Sequence, residues 1–274
     1  MRVPKRVGAP IDARRYQAWL RRFGGYRTEV SKSAIEKWLQ QFDEADRDLA
    51  ARTLDAVDYV THAQIEASFQ ALLGRLPGWN VDPNRRSGRW RFVAYSRAAG
   101  ESGDAMLQKF RSAAGLGSNR YNDLFIAKSE LLMSDLGPED TVVFVDDFAG
   151  TGKQVCDGWN DIMRELLPRE PNSYLMLVAC SAQAKSRIEV DTDLKVATRT
   201  LLVESDNIFA SECRYFASHD RERLLQYCKR ANRKEPRGFG ECGFVFVLAH
   251  KTPNNSLPIL HAKNQRWAGL FPRA

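Results

Sequence analysis

The apolar positions of this chain change period as it proceeds, and the change divides it. Near the start, Tyr16, Trp19, Leu20 and Phe23 fall on one helical face, with Asp12 placed to cap the helix and Gly24-Gly25 to end it. From Ser31 to Pro77 the spacing predicts three short helices. Ile35, Trp38, Leu39 and Phe42 follow the capping-box sequence Ser33-Ala-Ile-Glu36, and Leu49, Leu54 and Val57 follow Asp43. Ile65, Phe69, Leu72, Leu73 and Leu76 follow a second box, Thr61-His-Ala-Gln64. Beyond Pro77-Gly78 the pattern turns to short apolar runs, as in strands of a parallel sheet buried on both faces. Val142 to Val145 and Tyr174 to Cys180 are such runs, and Arg89 to Tyr95, Ala197 to Val203 and Phe244 to Ala249 read as further strands.

Helical spacing returns between the runs. It is found in Ala105 to Phe110, in Tyr121 to Leu136, from Lys153 through Val155, Trp159, Ile162 and Leu166, in Ala182 to Ile188 and in Asp220 to Lys229. Alternating strand and helix predicts an α/β fold, a parallel sheet flanked by helices, with an N-terminal helical extension. The expected division is linear: a basic arm and short helix over 1–27, a helical subdomain over 28–78 and the α/β domain over 79–274. Three short helices suit a helix-turn-helix or a packing subdomain over a sheet edge. The second fits better, because the third helix is not basic.

Charge changes this picture at one end. Met1 to Arg27 carries eight Lys or Arg against Asp12, and the remaining chain balances at 33 of each sign, so the net charge of +7 originates in the first tenth. Met1 to Pro10, broken by Pro4, Gly8 and Pro10, reads as an arm, and the surplus points to a polyanionic partner such as nucleic acid. Arg14, Arg15, Arg21 and Arg22 repeat seven apart on a second face of the first helix. They either contact phosphates or form a solvated charged face.

No stretch of eighteen or more apolar residues occurs, and MRVPKRVGAP lacks the apolar core of a signal peptide. A cytoplasmic protein without a membrane partner is expected. Cys156, Cys180, Cys213, Cys228 and Cys242 form no CxxC pair, so buried free thiols are expected. His62, His219, His250 and His261 have no zinc-binding spacing.

The candidate chemistry lies in Thr141 to Gln154, TVVFVDDFAGTGKQ. Asp146 and Asp147 stand at the carboxyl end of a buried strand, where open α/β sheets place ligands. Gly150-Thr151-Gly152 then supplies a permissive turn ahead of a helix, so that amides from Ala149 to Gln154, the Thr151 hydroxyl and the Lys153 ammonium suit an oxyanion. A Walker A loop is excluded: Asp147 stands where its first Gly belongs, and Gln154 where its Ser or Thr belongs. The loop Phe148 to Gly152 is expected to be open to solvent. Ser96, Asp146, Ser181 and Glu204 would stand at successive strand ends, although Glu204 and Asp206 equally suit a helix cap near Ile208. Arg111 to Arg120 reads as a lid or a plain loop. The sequence Gly100 to Gly103, GESG, is not a nucleophile elbow.

A strand ending in two acids and a Thr-Gly turn opening a helix resembles the phosphoribosyl pyrophosphate motif of type I phosphoribosyltransferases. Val142 to Asp147, Thr151 and Gly152 fit that motif, whereas Phe148, Ala149, Gly150, Lys153 and Gln154 depart from it. The resemblance implies that the acid pair holds the ribose 2′ and 3′ hydroxyls and the turn holds a 5′-phosphate. By position, Ser96 and Arg97 match the pyrophosphate loop. Mg²⁺ bridged by substrate would lie near Asp146 and Asp147.

A wider resemblance covers Lys37 to Ile65, Phe144 to Gln154 and Gly238 to Arg273. It is to phosphoribosyltransferase-like proteins of bacterial conflict systems, some of which accompany retron reverse transcriptases in phage defence. This implies an effector or accessory subunit, with a nucleotide or phosphoribosyl pyrophosphate as ligand and a nucleic acid or reverse-transcriptase complex as partner. Asn254 and Asn255 would then belong to the pocket and meet a base or sugar. Read from their own chemistry, they equally suit turn residues bonding their own backbone.

Overall fold

The computed structural model describes residues 11–96 and 102–273. In chain order the elements are α1 (Ala13–Phe23), α2 (Lys32–Leu39), α3 (Arg47–Ala56), β1 (Asp58–Val60), α4 (His62–Leu73), β2 (Trp90–Ala94), α5 (Ser102–Ala113) and β3 (Thr141–Ala149). They continue with α6 (Lys153–Gly158), β4 (Asn172–Ser181), α7 (Ala182–Asp191), β5 (Lys195–Leu202), α8 (Ser218–Ala231), β6 (Phe246–Leu248), α9 (Pro258–His261), β7 (Lys263–Asn264) and β8 (Trp267–Ala268).

The linear division is corrected by the fold. One unit takes in the chain through His62 together with everything from Val203 onward, and the other runs from Ala63 to Leu202. The physical reason is apolar burial between the two ends of the chain. Phe23 meets the Phe271 ring edge-on at 5.0 Å, the Tyr26 hydroxyl donates to the Pro272 carbonyl at 2.6 Å, and the Trp38 indole donates to the Ile259 carbonyl at 2.7 Å. Phe244 to Ala249, expected as the last strand of the main sheet, instead supplies β6, which pairs in parallel with β1. Sequence reading missed β1, because three residues between two helices carry no period of their own.

The second unit holds a four-stranded parallel sheet in the order β2-β3-β4-β5, with β3 inside it. Alternate residues serve its two faces. Val93, Val142, Phe144, Leu175 and Leu177 pack with Val155, Trp159 and Met163 and with Ala184 and Ile188 of α7. On the other face Phe92 meets Phe110 of α5 at 4.8 Å and Trp79 and Phe125 at 5.3 Å each. Burial on both sides is why these strands read as continuous apolar runs. The α/β fold with a parallel sheet flanked by helices is therefore present.

Two helices differ from expectation. Tyr121 to Leu136 forms only 3₁₀ turns, because Phe125 bridges to β2 and the Ile126 N–H is drawn to the Phe92 carbonyl. After α6 the chain makes a π turn at Trp159–Met163. The π turn adds a residue to the helical circuit and shifts its phase, so Met163 and Leu167 are buried, whereas Ile162 is 46% exposed. The first helix of the 31–77 group is capped by Ser31 rather than Ser33.

The basic arm of Met1 to Pro10 lies outside the described residues. On α1, capped by Asp12 as expected, the reading of arginines free for phosphates is corrected at Arg15 and Arg22. Arg15 is buried and pairs with Asp55 at 2.7 Å, and Arg22 donates to the carbonyls of Asp55 and Val57. Asp55 also accepts from the Trp19 indole at 2.8 Å. Arg14 and Arg21 remain exposed.

The Asp55 carboxylate thus ties α1 to α3. Asp55→Ala strips that acceptor from a buried guanidinium and an indole N–H, and should cost about 2–3 kcal/mol, less than a fully enclosed pair because Asp55 is partly exposed. Urea unfolding of the variant against wild type measures this, and an unchanged midpoint would show that α1 does not depend on Asp55.

Candidate functional site

The inner strand β3 carries its apolar run directly into Asp146 and Asp147. Pairing with β4 continues through Phe148 and Ala149, opposite Ala179 and Cys180, so both acids sit within the strand. The expected open loop from Phe148 is corrected accordingly. The turn is confined to Gly150–Gly152, and Gly150 and Gly152 are buried. Ser181, at the end of β4, explains this: its hydroxyl donates to the Gly150 carbonyl at 2.6 Å and accepts from the Ala184 N–H at 2.8 Å, capping α7.

Asp146 and Asp147 are 9% and 7% exposed. Ser102, the first residue of α5, reaches both: its hydroxyl lies 2.8 Å from Asp146 Oδ1 and 3.2 Å from Asp147 Oδ1. Asp146 Oδ1 also accepts the Asp147 backbone N–H at 2.8 Å. Burial, and after it the neighbouring Asp147 charge, push the Asp146 carboxyl well above the usual carboxylate range. Sequence reading missed Ser102, having weighed GESG only as a nucleophile elbow. The available signal was Gly103, where a Cβ would lie 2.5 Å from the Tyr95 carbonyl oxygen; only glycine lets the start of α5 approach the end of β2 so closely.

In the turn, Gly152 has φ +72°, in the left-handed region. Thr151 Oγ1 accepts the Lys153 N–H at 3.3 Å, which opens α6. Lys153, expected to face a phosphate, is paired with Asp157 at 2.7 Å one helical turn on. Gln154 is exposed, and Ala149 is buried. Ser96 follows β2, with its carbonyl accepting from the Lys128 ammonium at 3.0 Å. Arg97 lies outside the described residues.

The remaining candidates belong to the other unit. Glu204 is exposed in a 3₁₀ turn, while Asp206 takes the capping role by accepting the Val203 N–H at 2.9 Å. No helix begins near Ile208. Asn255 is buried, and its side chain donates to the Phe239 carbonyl at 2.9 Å rather than to the backbone of its own turn. Asn254 borders a cleft of that unit. Cys156, Cys180, Cys228 and Cys242 are buried free thiols, and burial pushes Cys180 and Cys228 up to about 12, which leaves them unreactive.

A parallel sheet whose inner strand carries two buried carboxylates near its carboxyl end, ahead of a glycine turn, defines an α/β protein with its candidate site at that end of the strands. The chain belongs to the PRTase-CE family, matching that family's model over residues 35–273. Among solved structures it is similar to orotate phosphoribosyltransferase from Aeropyrum pernix, at 12% identity over 48% of this chain and 68% of that chain, with a TM-score of 0.29. A likeness of that size carries no argument about activity. No curated protein matches the chain.

Two outcomes test this geometry. Asp146 holds its proton more tightly when folded, so above the ordinary value of 3.8 the native state binds more protons than the unfolded state, and its contribution to stability falls as pH rises towards the native value. Asp146→Asn removes that penalty. The melting temperature of the variant relative to wild type should therefore grow with pH above about 4; a difference that is constant with pH would contradict the assigned shift.

Gly152→Val imposes a positive φ on a β-branched residue and brings its Cβ to 3.1 Å from the Ala184 carbonyl oxygen. It should destabilise the second unit by about 1–3 kcal/mol, beyond any loss of binding. Wild-type stability of the variant in thermal unfolding would show that the turn relaxes freely.

Proposed function

We propose that this protein binds phosphoribosyl pyrophosphate or a 5′-phosphorylated nucleotide at Asp146 to Gln154 and transfers or cleaves at ribose C1, as a phosphoribosyltransferase-type enzyme. The observation that carries the reading is the buried acid pair near the carboxyl end of an inner parallel strand, two residues before the Gly150–Gly152 turn. Membership of the PRTase-CE family supports it. In this reading Asp146 and Asp147 orient the ribose hydroxyls, and the backbone amides from Gly150 to Gln154 receive the 5′-phosphate. Rate enhancement then comes from orientation and preorganised charge and requires no protein nucleophile.

The residues fit Mg²⁺. They offer oxygen donors, and a divalent cation beside the pair would offset both the burial that chiefly raises Asp146 and the repulsion from Asp147 that adds to it. No group of three or more His, Cys, Asp or Glu gathers among the described residues, so such an ion would complete its shell from water and ligand oxygens. When bound, it would neutralise charge on a departing pyrophosphate. The setting suggested by the resemblance is an effector or accessory role in a bacterial anti-phage system of retron type.

A second reading, binding without turnover, draws on Asp146 being held towards its neutral form and on Lys153 being paired with Asp157. The two readings separate on one experiment. Asp146→Asn with Asp147→Asn should lower turnover of phosphoribosyl pyrophosphate by at least about 100-fold while calorimetry still registers a ribose 5-phosphate ligand. Tight binding by wild type without product favours the second reading, a nucleotide sensor. Unchanged turnover in the double variant would remove the acid pair from the chemistry.

A further inference from the structure

The main sheet has one largely unguarded edge, the outer side of β5. We propose that β5 pairs there with β5 of a second copy of this chain, antiparallel about a two-fold axis at Thr200, so that two four-stranded sheets become one. The contact uses only the second unit and does not depend on the chemistry assigned to Asp146 and Asp147.

β5 is last in the strand order and pairs with β4 on one side only. Its register against β4 runs from Tyr174 opposite Lys195 to Ser181 opposite Leu202 at a constant offset, so the strand carries no bulge, and it contains no proline. Bulges and prolines are among the devices that keep an edge from pairing. The one guard comes from α7. Glu189 accepts the Val196 N–H at 3.1 Å, and the Lys185 ammonium donates to the Val196 carbonyl at 3.2 Å. Val196 therefore turns its backbone groups away from β4, and alternation along a regular strand turns Thr198, Thr200 and Leu202 the same way.

Guarding stops there. Among the described residues the outward N–H and carbonyl groups of Thr198, Thr200 and Leu202 have one partner, the Thr198 hydroxyl, 3.2 Å from the Thr200 carbonyl, an acceptor with a second lone pair. At Val203 the chain has left the strand, and its N–H goes to Asp206. The open window is Thr198 to Leu202.

Unpaired strand backbone is satisfied by another extended strand. Side chains of the window select which. Arg199 is its single charge and is exposed, and Leu201, on the same face, is 45% exposed. Antiparallel pairing centred on Thr200 sets Thr200 opposite itself, Thr198 opposite Leu202 and Arg199 opposite Leu201 of the second copy. Each outward group then meets one from the partner, and each arginine stem covers a leucine that the single chain leaves exposed.

Other registers fail. Centring on Arg199 opposes like charges. Centring on Thr198 sets Thr200 against Val196, whose groups α7 already holds, and centring on Leu201 leaves Thr198 without a strand residue opposite. One charge gives little to select an acidic or basic peptide, whereas the window is complementary to itself, as a two-fold contact requires.

Sedimentation equilibrium of the full chain across the micromolar to millimolar range reads the association. Wild type should reach the mass of two chains and no more, because the contact closes on itself. Leu201→Lys sets a cation against Arg199 of the second copy at two symmetry-related places and should weaken association about tenfold, while Leu201→Glu should tighten it by a similar factor. Arg199→Glu combined with Leu201→Lys exchanges the two signs and should associate at least as tightly as wild type. Leu201 is exposed, so the variants should keep the wild-type melting temperature at dilutions where each is a monomer. A wild-type chain that stays monomeric throughout the range would overturn the proposal and leave the edge to an extended segment of another protein. Association that moves in the same direction in the Lys and Glu variants, or in neither, would overturn it as well.

Discussion

The second unit depends on one costly arrangement, two carboxylates placed side by side in the interior of a parallel sheet. An ionised carboxylate removed from water carries a large desolvation penalty, and a like charge beside it adds to the cost. Asp146 responds by holding its proton, and Ser102 answers both acids with one hydroxyl. The apolar strand Val142 to Val145 has neighbours on both sides and helices on both faces, and its burial offsets that cost. A strand made only to stabilise the sheet would gain by replacing the pair with apolar residues. Its presence is therefore the strongest physical sign of a site.

The surroundings of the pair are built to hold it in place. Gly103 lets α5 begin against the backbone of Tyr95, which brings Ser102 to the acids. Ser181 fixes the turn from the next strand while capping α7, so the turn is held by the sheet rather than left mobile. Gly152 takes the left-handed conformation that redirects the chain into α6. The Ser102 and Ser181 hydroxyl bonds are short-range in space and join segments separated by 30 or more positions.

In the first unit the comparable constraint is closure of the two ends of the chain. Arg15, Arg22 and Trp19 converge on Asp55 and its neighbourhood, and aromatic contacts join Phe23, Tyr26 and Phe42 to the last residues. Charges that looked available for a polyanion are partly used within the fold. The cations that remain exposed include Lys229 and Arg230 at the end of α8 and Lys263 and Arg266 of the β7–β8 hairpin.

Local sequence determined what local physics can determine. Period and burial marked β2, β3 and β4, because strands covered on both faces must be apolar throughout, whereas the edge strand β5 showed only β-branched strand formers; Asp12 and the acid pair were legible from their positions beside those patterns. Tertiary structure decided the rest. Only packing showed that Phe246 to Leu248 leaves the main sheet to pair with Asp58 to Val60, since a three-residue strand has no period to read and its partner lies far along the chain. Only packing shifted the helix after Lys153 by a π turn, drew Phe125 out of a helix and committed Arg15 to Asp55. Ser102 became part of the site for the same reason: a hydroxyl has no signature of its own until the fold brings a carboxylate within hydrogen-bonding distance.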